Sequence, residues 1–296
     1  MIEYNPKDWF SLIFKFHQSD TFRKLIGIMI SLGIYTAIIV YIESSHYNMK
    51  STTAIHSLLG FVISLLLVFR TNTAYDRWWE GRRLLGSLVN NSRNLAIKLA
   101  VILKDKTELK EQARILIGNY ALCLVEHLSE RSNYNVIEDN DEYTKDFVKK
   151  SNHKPNAIAY QLVHYVKNLY DKKIITGEEL LIINNEVSGY TDIIGACERI
   201  KKSPIPYSYS LFIKKFIFVY IMTIPIFFSH DFGYAIVPLT IFIFYVLVSI
   251  EMIAEEIENP FNFDSNDLPL DEIADTICRN IKESLHINLE TKQTNI

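Results

Sequence analysis

Residues 25–42, 51–69, 216–230 and 232–250 contain no Asp, Glu, Lys or Arg, while charge is plentiful between and around these runs. The longer runs reach the roughly 18 residues of a membrane-spanning helix. Residues 216–230 fall short, and gain length if the Lys214 and Lys215 stems reach out to the headgroups. The expectation is four transmembrane helices. Long helices buried in a soluble core are the alternative reading.

The stretch 58–86, LLGFVISLLLVFRTNTAYDRWWEGRRLLG, joins the apolar regime to the polar one. It holds no Pro, and no Gly between Gly60 and Gly81. This predicts one helix that leaves a bilayer and continues into water. In its apolar half Phe61, Leu65 and Phe69 recur every four residues, which lines them along one face. Gly60 and Ser64 sit beside that face at a spacing that lets neighbouring helices approach. Ordinary helix packing is the competing account of the same three residues.

Cations mark the ends of the runs. Arg23 and Lys24 precede the first, Arg70, Arg77, Arg82 and Arg83 follow the second, and Lys201, Lys202, Lys214 and Lys215 precede the third. Residues 43–50 hold only Lys50, and the turn around Asp231 holds no cation. The positive-inside rule then puts both termini and the large middle segment in the cytoplasm. Residues 1–24 lack the pattern of a cleavable signal. Within them 9–16, WFSLIFKF, suits a short helix at the membrane interface, or one packed on the soluble part.

The middle, 70–210, is polar and helical by pattern. Residues 84–103, 108–128, 157–169 and 178–200 repeat apolar positions at spacings of three and four. Residues 138–156 are charged without period and read as a solvated loop. Their acids Glu138, Asp139, Asp141 and Glu142 lack the Gly and terminal Glu of a calcium loop. Asn259-Pro260 stops the helix that follows the fourth run. The tail from 287 is polar.

Composition narrows the function. The 296 residues are 49% apolar and 22% charged, with mean hydropathy +0.07 and net charge −3. That balance gives no electrostatic case for nucleic acid. Cys123, Cys197 and Cys278 form no CxxC pair, and the eight histidines show no HExxH spacing, so no catalytic residue and no metal is expected. His56 is the sole polar candidate within a span for enzyme chemistry, and the sequence offers it no partner.

Three segments, in this order and spacing, resemble the bacterial form of the bestrophin family: FRTNTAYDRWWEGRRLLG at 69–86, GACERIKKSPIPYSYSLFIKKF at 195–216 and ENPFNFDSNDLPLD at 258–271. The resemblance covers roughly residues 5–285. It implies an all-α membrane protein, with four transmembrane helices continuous with a cytosolic helical region. It also implies a homopentamer around one axial pore in the bacterial inner membrane, touching lipid and permeating monovalent ions, with no cofactor. Divided on that pattern, residues 1–69 hold the interfacial helix and first two spans, and 70–210 the cytosolic region. Residues 211–254 hold the last two spans, and 255–296 the cytosolic C-terminal segment.

The resemblance also implies site residues. Phe61, Leu65 and Phe69 fall on the family's pore neck. A cytosolic aperture falls near Glu178, Glu179 and Leu180. The family has an apolar residue there, so either Glu178 and Glu179 depart from it or the correspondence slips by one or two positions. A solvated helix N-terminus explains the same acids. Asp264 and Asp267 occupy the calcium-clasp region of animal members, reduced here to two carboxylates, so no calcium gate is expected. The implied function is a passive channel for small monovalent ions, chloride by family default with cations possible. A non-conducting scaffold or sensor, or a membrane enzyme, are the alternatives.

Overall fold

The structure, a computed structural model, describes residues 20–46, 53–131, 133–139 and 145–286. The interfacial segment at 9–16 and the tail from 287 lie outside these residues, as do Asp141 and Glu142. Among the described residues every regular element is helical: α1 (Asp20–His46), α2 (Thr53–Leu103), α3 (Thr107–Leu128), α4 (Lys145–Lys150), α5 (Lys154–Asp171), α6 (Gly177–Lys202), α7 (Tyr207–Phe232), α8 (Ile236–Glu258) and α9 (Leu270–His286).

The four apolar runs all become helix. Among the described residues three stretches are long and apolar enough to cross a membrane: Thr21–Glu43, Ala54–Leu103 and Tyr207–Glu258. The third contains α7, a 3-10 turn at Gly233–Ala235 and α8, so it is two helices. Gly233, with φ +52°, takes a conformation that favours glycine and caps α7, its amide donating to the Ser229 carbonyl. Pro225 lies inside α7 without ending it. The junction at 58–86 is one uninterrupted helix, and α2 runs for 51 residues.

The chain divides into two compact units. One contains residues 1–78, 204–260 and 264–266; the other contains 79–203, 261–263 and 267–296. The first is built on a core of Leu32 and Val40 from α1, Ile63 and Leu67 from α2, and Ile213, Ile217, Ile221 and Ile224 from α7. Tyr35 Oη donates to the Met222 carbonyl at 3.0 Å, tying α1 to α7.

The second unit packs α3, α5, α6 and α9 with the later part of α2. Buried tyrosines hold it by donating to other helices. Tyr120 Oη reaches the Tyr190 carbonyl at 2.6 Å, Tyr190 Oη reaches Ser92 Oγ at 3.1 Å, and Tyr165 Oη reaches the Leu109 carbonyl at 2.8 Å. At Gly189 a Cβ would stand 1.9 Å from Asn91 Nδ2, so a side chain there would push the Asn91 amide off the Glu186 carbonyl to which it donates at 3.1 Å.

One element differs from the sequence reading, and a second was given no bounds there. Residues 138–156, read as a loop, contain α4 and the start of α5. Val148 is the one buried position of α4, and a single apolar anchor leaves no period to detect. The second is α9, whose buried Leu270, Ile273, Ala274, Ile277, Ile281 and Leu285 form one apolar face at spacings of three and four.

Candidate functional site

Helix α2 has two opposed faces. His56, Ile63, Leu67, Arg70 and Ala74 are buried against the rest of the first unit. At 3.6 residues per turn, Phe61, Leu65 and Phe69 fall on the other side. They are 66%, 44% and 55% exposed, beside exposed Leu58, Val62 and Val68. The three candidate neck residues therefore share an apolar face that this chain leaves uncovered.

Close approach at Gly60 occurs within the chain. A Cβ on Gly60 would stand 2.7 Å from Tyr220 Oη of α7. Ser64 Oγ donates to the Gly60 carbonyl at 2.8 Å, along its own helix. His56 is buried and stacks on Tyr220, with ring centroids 4.4 Å apart, and Phe227 and Phe228 stand at its other sides. The sequence did not reveal this aromatic setting, because its partners lie on α7.

Arg70 adds to the reading of charge. It follows the second apolar run, as the sequence has it, and it is 1% exposed. Its Nη2 lies 2.7 Å from Glu258 Oε2, and its Nε lies 3.5 Å from Glu251 Oε2. Glu258 Oε1 accepts from the Ile205 amide at 2.7 Å, and its carbonyl accepts from Arg77 Nε at 2.9 Å. Arg70 and Arg77 are thus engaged inside the unit, whereas Arg82 and Arg83 are exposed.

The aperture candidates separate. Thr176 Oγ1 accepts from the Glu179 amide at 3.2 Å, and the Glu179 carboxylate accepts from the Thr176 amide at 2.8 Å. This reciprocal cap starts α6 and occupies the Glu179 carboxylate. Glu178 is exposed, and hydrogen bonds from its own backbone amide and from Thr176 hold its carboxyl below the usual carboxylate range. Leu180 is half-buried, while the next two residues, Leu181 and Ile182, are exposed.

At the ENPF turn the two candidate carboxylates have unlike settings. Asp264 is exposed and Asp267 is buried. The Asn266 carbonyl already accepts from Trp78 Nε1 at 3.0 Å, and Asn266 Nδ2 donates to Glu256 at 2.7 Å.

A further cluster escaped the sequence. His127, His153 and Glu198, far apart in the chain, bring their ligand atoms within 4.8 Å of one another. No spacing rule joins three residues on three elements, so only the fold reveals it.

Among the described residues all regular structure is helical, and the apolar helices of spanning length fit a membrane protein. Residues 1–283 match the family described as Bacterial/Fungal Bestrophin protein, and the chain belongs to that family. It is accordingly an ion channel protein and not an enzyme. It is 34% identical over 287 residues to a voltage-dependent anion channel-forming protein of Nostoc sp. (strain PCC 7120), covering 94% of this chain and 92% of that one. A protein of the same description from Escherichia coli K12 is 29% identical, over 94% of this chain and 91% of its own. Among solved structures, a bestrophin homologue from Klebsiella pneumoniae matches the fold with TM-score 0.81 at 24% identity, covering 88% of this chain and 98% of that one.

Proposed function

We propose that the chain assembles as a homopentamer around one axial pore and passes small monovalent anions, chloride foremost, down their gradient across the bacterial cell membrane. Helices α1, α2, α7 and α8 cross the bilayer, with both termini cytoplasmic. Five copies of α2 surround the axis, and Phe61, Leu65 and Phe69 form the neck. The observation that supports this reading is the bared apolar face of α2, opposite the face that packs. A ring of apolar side chains gives a partly dehydrated ion no substitute ligands, so it gates by wetting and dewetting.

The anion reading rests on the names of the relatives. A cation reading has one observation in its favour, the exposed and readily ionised Glu178. If Glu178 lines the cytosolic aperture, five carboxylates would concentrate cations there. Glu179 takes no part, because its carboxylate is held in the helix cap. The apolar residue of the aperture is then Leu181 or Ile182, one or two positions after Leu180. The account assigns Asp264 and Asp267 no calcium gate.

Reversal potentials in planar bilayers under a NaCl gradient decide between the ions. The anion account expects reversal near the chloride potential, and no more than a small shift in Glu178→Gln. Reversal near the sodium potential, moved towards chloride by Glu178→Gln, would replace it with the cation reading.

A further inference from the structure

His127 lies in the last turn of α3, His153 is the N-cap of α5, and Glu198 lies on α6. All three belong to the second unit. Glu198 Oε1 lies 2.6 Å from His127 Nε2 and 2.8 Å from His153 Nε2. The two imidazole centroids are 4.8 Å apart and tilted by 41°. None of the three side chains is fully buried, so a small ion in water can reach them.

We propose that His127, His153 and Glu198 form a binding site for a divalent transition metal of the zinc class. Two imidazole nitrogens and one carboxylate oxygen are a donor set that zinc takes, with the fourth position left to water. Calcium and magnesium prefer sites built of oxygen alone. An ion about 2.1 Å from each donor in a tetrahedral site holds those donors about 3.4 Å apart. Oε1 now sits closer to both nitrogens because hydrogen bonds join them. Exchanging those bonds for a metal ion requires Oε1 to draw back from each nitrogen by less than about 1 Å, and the two ligating nitrogens, within 4.8 Å of each other, to settle about 3.4 Å apart.

Two lysines stand near the cluster, and both are engaged away from Oε1. Lys202 Nζ lies 3.3 Å from Oε2, which leaves Oε1 to the ion. Lys201 is held elsewhere, on the Leu128 carbonyl at 2.6 Å and on Glu130 at 2.8 Å.

His153 moderates the affinity. Its Nδ1 accepts from the Asn156 amide at 3.2 Å, so its proton sits on Nε2. Ligation through Nε2 moves that proton to Nδ1 and gives up the helix cap. Micromolar binding follows, weaker than a closed structural zinc site.

The test uses tag-free full-length protein in detergent, stripped with EDTA and titrated with cobalt(II). The proposal expects one cobalt per chain, with visible absorption of a tetrahedral site, displaced by zinc and not by magnesium or calcium. His127→Gln and Glu198→Gln each weaken binding at least tenfold, while His164→Gln does not. If a variant fails to fold, the wild type carries the test: zinc must protect His127 and His153, but not His164, from diethylpyrocarbonate. Absence of micromolar cobalt binding, binding unchanged in folded variants, or no selective protection by zinc would overturn the site.

Discussion

Arg70 shows how far one side chain can depart from the reading its neighbours suggest. It directly follows an apolar run, as a cation at a membrane surface does, yet it is buried between Glu251 and Glu258. Its partners lie at the other end of the first unit's sequence, so position alone could not disclose the burial. Removing one member of a buried ion pair leaves charge without compensation and costs about 3–5 kcal/mol. Arg70→Met should therefore lower stability by about that amount. Arg70→Met with Glu251→Met should lose less, since one stranded carboxylate is gone. Denaturant unfolding in detergent reads both; equal stability of wild type and Arg70→Met would show that the triad contributes nothing net.

Among the elements, α2 was legible because two signals agree along it: no breaker stops it, and its polar half keeps a helical period. The four apolar runs were equally plain. Helix ends were less so, because Lys104, Glu130 and Lys173 adopt left-handed conformations where a glycine would have announced the stop. The amphipathic α9 carried a visible period that the resemblance to the ENPF segment overshadowed. Face assignment was half legible. A spacing of four finds Phe61, Leu65 and Phe69, but only partners on α7 reveal that Gly60 serves the buried side. Gly60→Ala puts a Cβ 2.7 Å from Tyr220 Oη, so it should destabilise by about 1–3 kcal/mol. Tyr220→Phe removes that oxygen and should restore part of the loss, a coupling that a thermal double-mutant cycle measures. Strict additivity of the two changes would mean that α2 and α7 do not meet there.

For the whole molecule, a chain that supplies one apolar face of one helix cannot enclose a pore alone. Closed rings of identical subunits are the common solution, and the proposed one has five members. Native mass measurement in detergent or nanodiscs should return five chains per particle; a monomer or dimer alone would remove the pore. The neck carries the central claim, and single-channel current is its most direct measure. Phe61→Ala, Leu65→Ala and Phe69→Ala combined should widen the constriction and ease its wetting. The account predicts a larger unitary conductance and weaker discrimination among anions of different size, in a variant that still assembles. Unchanged unitary current and unchanged size selectivity in that assembled variant would place these three side chains away from the conduction path and contradict the account.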